Sequence, residues 1–322
     1  ADVVGGQRTA LVANRTYRRA VAGLPAARVL DAYASARGTR DLLAPLGGLY
    51  GTLAGLIDTP GLRGAAGALV PRNDGASLVM RRIADNDAPI PGFRSTLQDT
   101  APADTLTFVA SGELGAALER FLLLAEPGGS APAPAVDRFT ALSRLGRESA
   151  TVVAPGQQGP VITLLSRITE PERVRAAMTG LEADLATLVD APGTAAWTDV
   201  APGGLRGRTL ADAPGQGLSW AIDGRTLIVS TALDGISTIK AAGPRLAGTR
   251  AFRAVTGNTR NPITSLVFLD PNQLLRLGAD TGLGPAGALE GSRRDLAKVR
   301  AIGVTTTGTS RESTVDLSLW IP

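Results

Sequence analysis

The chain has 322 residues, with 44% hydrophobic, 19% charged and only 4% aromatic side chains and a net charge of +4. That is room for about two domains with a core of Ala, Leu, Val and Ile, and it argues against disorder. Cys and His are both absent, which excludes disulfides, thiol catalysis, Ser-His-Asp triads and metal sites built on either residue.

Lys240 and Lys298 are the only lysines; the other bases are arginines scattered along the chain that rarely sit beside aromatic residues, so no nucleic-acid footprint is present. No apolar run approaches the roughly 18 residues of a membrane span. The start at Ala1-Asp2, with no basic leader and apolar core behind it, reads as that of a mature or truncated product.

In chain order, Arg28–Tyr33 reads as a strand leading into a helical segment at Asp41-Leu42-Leu43. A hairpin follows over 65–83 around the turn Pro71-Arg72-Asn73-Asp74-Gly75, with alternating apolar residues on both sides of a Gly-bearing turn. Residues 85–99, rich in Asp, Pro and Gly, have the composition of a linker. Pro102–Val109 reads as a strand before a helix over Leu114–Leu124, and Glu126–Pro134 as a low-complexity surface loop. A second hairpin spans 149–168 around Pro155–Gly159.

Thr169-Glu170-Pro171-Glu172 opens a helix, with Pro in the first turn and acids near its positive end. Val174, Met178, Leu181, Leu185 and Leu188 give that helix one apolar face. Strands are expected at 205–210, 218–222 and 226–230, the last two joined by Asp223-Gly224, a strong hairpin signal. A short helix over 233–242 follows. Ser265–Leu269 is a strand leading into Asn272-Gln273-Leu274-Leu275, and a third hairpin occupies 301–321 around Thr307–Ser310.

Arg250–Val255 matches Thr16–Val21, and each precedes a strand, a helical segment and a hairpin. Residues 1–84 therefore read as a degenerate second copy of 235–321. The expected organisation is a half-unit at 1–84, a linker at 85–99 and a complete unit at 100–322. The expected fold is α+β, with antiparallel sheets carrying packed helices in repeated strand–helix–hairpin units.

The pattern resembles the actinobacterial family catalogued as domain of unknown function 3352. The residues that carry the resemblance are Pro102–Leu106 before Glu113–Leu118, Asp223–Thr231 before a helix, Phe252-Arg253-Ala254, and Leu266–Asp270 followed by Asn272–Leu275. It covers about 100–321 well and 1–84 partially. The resemblance implies an exported or membrane-anchored envelope protein and an extracytoplasmic location; it assigns no activity and no functional residues.

Chemistry-bearing patterns are few. Ser237-Thr238-Ile239-Lys240 has the Ser-x-x-Lys spacing of penicillin-binding enzymes, which on a helix sets Lys beside the Ser it deprotonates. The companion Ser-Asp-Asn and Lys-Thr-Gly elements are missing, and a solvated Lys on an amphipathic helix is the simpler reading. Gly282-Leu283-Gly284-Pro285-Ala286-Gly287 fits Gly-x-Gly-x-x-Gly but follows a helix and contains Pro, so it reads as a loop.

The carboxylate pairs Glu113/Glu119, Asp31/Asp41 and Asp316/Glu312 are available for acid–base work. Asp85, Asn86 and Asp87 lack calcium-loop spacing. Arg15, Arg18 and Arg19, and Arg293, Arg294 and Arg300, are candidate anion-binding clusters. No metal site and no cofactor are expected. Trp220 and Trp320 fall in strand patterns and belong in the core.

Together these features point to a non-enzymatic extracytoplasmic protein, either a structural or interaction module or a carrier of an apolar ligand held between sheet and helices. Its partner would be a second copy or another envelope protein, met through the open sheet edge that a half-unit at 1–84 leaves. The alternative is a hydrolase using Ser237 and Lys240 or paired carboxylates.

Overall fold

The computed structural model of the chain describes residues 10–38, 61–85, 92–112, 146–157, 159–188, 196–213, 216–257, 262–273, 276 and 297–322. Helix α1 (Arg15–Ala22) precedes strands β1 (Leu30–Ser35), β2 (Leu62–Arg72) and β3 (Gly75–Ala84). Then come β4 (Thr107–Ser111), β5 (Gly146–Gly156), β6 (Gly159–Ile168) and helix α2 (Pro171–Leu188). Strands β7 (Thr198–Val200), β8 (Gly207–Ala213), β9 (Gln216–Asp223) and β10 (Thr226–Ser230) lead to helices α3 (Leu233–Lys240) and α4 (Arg250–Thr256). The chain closes with β11 (Ser265–Leu269), β12 (Ala301–Gly308) and β13 (Glu312–Trp320).

All thirteen strands form one sheet, in the order β1-β2-β3-β13-β12-β11-β4-β5-β6-β10-β9-β8-β7. Every pairing is antiparallel. The order consists of four meanders placed edge to edge: 1-2-3, 13-12-11, 4-5-6 and 10-9-8-7. The α+β reading holds at this level, with one continuous sheet where separate sheets were expected.

The three expected hairpins are β2–β3, β5–β6 and β12–β13. Gly75 (φ +155°), Gly159 (φ +135°) and Gly308 (φ +113°) stand at their turns, in backbone conformations that other residues rarely adopt. At Gly75 a Cβ would lie 1.9 Å from the Leu319 carbonyl oxygen, so this glycine also permits β3 to close on β13.

Helices cover both faces of the sheet. Successive residues of a strand face opposite ways, and β10 is buried along its whole length. Ile228 joins Phe108, Val152, Leu165 and Ala221 beneath Ile236 and Ile239 of α3 and Phe252 and Val255 of α4. Leu227 and Val229 join Leu164, Leu218 and Trp220 on the other side, against Val174, Met178, Leu181 and Leu185 of α2. The register carries the α4 face across β13 and β3 to Ala66, Ala68 and Ile83, where Ala20 and Leu24 pack. Thus α1, α3 and α4 share one face, and α2 takes the other.

Small residues set how closely the helices approach. Under α3, Thr163, Ser230, Ser219 and Thr209 align across β6, β10, β9 and β8. Their hydroxyls pair at 3.0 Å (Thr163 Oγ1 with Ser230 Oγ) and 2.7 Å (Thr209 Oγ1 with Ser219 Oγ). Gly235 lets α3 rest on this row, because a Cβ there would meet Ser230 Oγ at 2.2 Å and Val161 Cγ1 at 2.7 Å. Gly303 of β12 does the same for α4: a Cβ would lie 2.4 Å from the Val255 carbonyl oxygen.

Several boundaries differ from the sequence reading. The strand expected at 102–109 begins only at Thr107, because the Thr105 amide and hydroxyl both donate to the Pro102 carbonyl and close a turn. The first strand runs over 30–35 where 28–33 was expected, β8 over 207–213 where 205–210 was expected, and β7 carried no periodic signal in three residues. Within the expected linker, residues 92–99 enter the core. Phe93 pairs with Ile263, Leu97 is fully buried, and Ser95 and Gln98 are buried beside it. The segments expected as helices near 41–43 and 114–124 lie outside the described residues, as do Leu274 and Leu275 of the third.

Two glycine substitutions test this packing with opposite signs. Gly303→Ala forces α4 off β12 and is expected to cost about 1–3 kcal/mol. Gly180→Ala, at an exposed position of α2 with open space around it, is expected to add about 0.5–1 kcal/mol. Urea denaturation of both variants against the parent measures the pair.

Candidate functional site

Ser237 and Lys240 lie on α3, one turn apart, but no hydrogen bond joins them. The Lys240 ammonium instead donates to both carboxylate oxygens of Asp223, at 3.1 and 3.0 Å. Asp223 ends β9 at the Asp223-Gly224 turn, so the lysine staples α3 to that hairpin. The ammonium is thus engaged by Asp223 and not by Ser237.

The arginine cluster of α1 is only partly free. Arg19 donates to Glu312 at 3.0 and 2.5 Å, and Arg81 reaches the same carboxylate at 3.3 Å. Arg15 and Arg18 are exposed, with no side-chain partner among the described residues. Arg300 is exposed near the start of β12, while Arg293 and Arg294 lie outside the described residues. The two proposed clusters are therefore not seen to converge on one site.

The carboxylate pairs are likewise divided among arginines. Asp31 accepts from Arg28 at 2.6 Å, Asp316 lies 3.7 Å from Arg72, and Glu312 is taken by Arg19 and Arg81. Asp85 is paired with Arg63. Glu113, Glu119, Asp41, Asn86 and Asp87, and the glycine-rich run 282–287, lie outside the described residues. Among the described residues no cluster of three or more carboxylates is placed to hold a metal ion, and no helix is long and apolar enough to cross a membrane.

Two carboxylates that composition did not single out are the buried polar anchors of the fold. Glu148, 4% exposed, sits next to the irregularity at the start of β5. Its Oε1 accepts from the amides of Thr96 (2.7 Å) and Leu97 (3.0 Å) and from Ser95 Oγ (3.2 Å), and its Oε2 from Thr96 Oγ1 (2.7 Å). These bonds fasten residues 95–97 to the sheet and satisfy a charge that burial would otherwise penalise.

Glu182 lies on the apolar stripe of α2, four residues after Met178 and three before Leu185. It accepts from Arg208 at 3.1 and 3.0 Å and from the Trp220 indole N–H at 3.3 Å. The hydrogen bond to Glu182, and then that to Asp199, holds the Arg208 guanidinium above its ordinary pKa. A charged residue on a helix's apolar stripe is the signal that marks Glu182 in the sequence. Trp220 is buried as expected; Trp320 is half-buried, under Arg250 at 5.3 Å, with its indole N–H donating to Asp74 at 3.0 Å.

Under α3, residues including Pro102, Val161, Thr163, Asp234 and Thr238 line a hollow with a cavity volume of about 10 Å³. That is the space of one water molecule. Asp234 Oδ1 is buried and has no hydrogen-bond partner among the described residues.

β1 lies at one end of the sheet. Among the described residues β1 pairs with β2 and with no other strand, and its Leu30, Asp31, Ala32 and Ser35 are exposed. Val29 and Leu30 beside it are 69% and 63% exposed, and Leu69, opposite Leu30, is 37% exposed. The β3 side of the 1–84 segment is closed by β13 through nine residue pairs, so among the described residues its β1 side is the one without a partner strand.

No protein-family model matches the chain, and no curated protein does. Solved structures of TP0453 align with it over most of both chains. Crystal form IV gives a TM-score of 0.39 at 10% identity, covering 70% of this chain and 81% of that one. Crystal form III gives 0.36 at 7%, covering 73% and 93%. At this level the likeness carries no argument for fold or function.

Two outcomes follow from the site geometry. Glu148→Gln exchanges an acceptor for an amide facing two N–H donors, and is expected to cost about 1.5–3 kcal/mol in urea denaturation. Fluorescent penicillin is expected to leave the chain unlabelled; labelling that Ser237→Ala abolishes would restore the hydrolase reading.

Proposed function

We propose that this chain is a non-enzymatic extracytoplasmic protein whose work is assembly: it presents a long antiparallel sheet and binds other polypeptide through its exposed edge. The observation that carries this reading is the β1 edge, which has no second partner strand among the described residues, with Val29 and Leu30 exposed at its start. An extended segment added there gains main-chain hydrogen bonds and covers apolar side chains, which is β-augmentation. The extracytoplasmic location rests on the sequence resemblance described above and on the absence of Cys.

Two features support reading the chain as a degenerate repeat. The order α1-β1-β2-β3 is the order α4-β11-β12-β13, and both meanders end in a hairpin whose last strand joins the other. Neither the one-water hollow under α3 nor the Lys240–Asp223 pair favours the carrier or the hydrolase.

Native followed by denaturing mass spectrometry of the purified protein tests this function. The expected result is a complex, with itself or with another protein, that releases no small molecule on denaturation. A stoichiometric apolar molecule released from a monomer would replace this reading with that of a carrier.

A further inference from the structure

The two ends of the sheet are finished differently. β7 is three residues long, and its Asp199 is exposed and held by Arg208 at 2.8 Å. A short charged strand is a blunted edge. β1 is six residues long and contains no Lys, no Pro and no irregularity in its register with β2. Its single charge, Asp31, is neutralised by Arg28, and Val29 and Leu30 are the two most exposed positions among the large exposed apolar residues apart from Val12. An edge of this kind is left unguarded where it is to be paired.

The way the meanders already join indicates the partner. Last strands meet last strands: β3 pairs with β13, and β6 with β10. First strands meet first strands: β4 pairs with β11, antiparallel, with Val109 opposite Val267 at the centre of five pairs. β1 is a first strand of the same kind of three-stranded meander, and among the described residues no first strand remains for it except the blunted β7. We propose that β1 pairs antiparallel with β1 of a second copy about a two-fold axis, joining two thirteen-stranded sheets into one.

Antiparallel pairing of a strand with itself is self-complementary, as a two-fold interface requires. It sets the outer N–H and C=O groups of one strand against those of the other and brings no uncompensated like charges together. The proposal rests on the assembly reading above and names its partner. Pairing of β1 with β7 of another copy would instead be heterologous and would propagate into open filaments.

Because the native chain has no Cys, single cysteines report the pairing cleanly. Full-length variants carry one Cys at each position of 30–35 in turn, and a further variant carries Thr198→Cys in β7. Residues directly opposite in an antiparallel pair have Cβ atoms about 4.5–5.5 Å apart, close to disulfide reach. After mild oxidation, disulfide-linked dimer is expected to peak sharply at one or two β1 positions and to stay at background for Thr198→Cys.

In sedimentation, the parent chain is expected to run as a dimer. The double variant Leu30→Lys/Ala32→Lys is expected to run as a monomer with unchanged circular dichroism and denaturation midpoint. A parent chain monomeric at high micromolar concentration, or cross-linking without positional preference along β1, overturns the proposal. A complex with a different protein in native mass spectrometry would then leave the assembly reading intact, so the two fail separately.

Discussion

The structure depends on hydrogen-bond ladders between strands far apart in sequence. Ser77 of β3 and Ser318 of β13 are 241 residues apart and share a buried hydroxyl pair at 2.8 Å. The β3–β13 ladder attaches the amino-terminal meander to the rest of the sheet, and the β4–β11 ladder attaches the carboxy-terminal one. Without them the sheet would fall into β1–β3, β11–β13 and the seven strands joined through β6–β10, each piece with two exposed edges. Such non-local pairings repay loop-closure entropy only after both ends are in place.

A sheet this long must be covered with few aromatic residues, and the coverage depends on close approach. Gly235 and Gly303 bring α3 and α4 into backbone contact with the sheet, so Ile236, Ile239, Phe252 and Val255 reach between the strands. On the opposite face α2 contributes an apolar stripe interrupted by Glu182, and Arg208 and Trp220 occupy the acceptors of that carboxylate. Glu148 performs the corresponding task for residues 95–97. Both carboxylates are buried with their oxygens occupied, Glu148 by residues 95–97 and Glu182 by the side chains of Arg208 and Trp220.

The parts of this architecture governed by local rules could be read from the sequence. The three hairpins followed from alternation around Gly-bearing turns, and α2 from Val174, Met178, Leu181 and Leu185 at helical spacing. The sheet order could not be read, because nothing in Ala76–Ile83 alone specifies Glu312–Trp320 as its neighbour. Phe93 and Leu97 were hidden by the Pro, Gly and Asp residues around them, which give a core segment the composition of a linker. At the candidate site, the Ser237–Lys240 spacing was visible, but the competing carboxylate, Asp223, lies on another element. An open edge was expected for 1–84 as a whole; the β3–β13 pairing leaves β1 as the strand of that segment without a second partner among the described residues.

Amide hydrogen exchange resolved along β3 and β13 tests the central claim most directly, that one cooperative sheet runs through the joined meanders. The account predicts that amides of 75–84 and 312–320 exchange as slowly as those of the interior hairpin β5–β6, through opening of the whole sheet. Fast, independent exchange over 62–84, with β13 behaving as an edge strand, would contradict it and would make the amino-terminal meander a separate body.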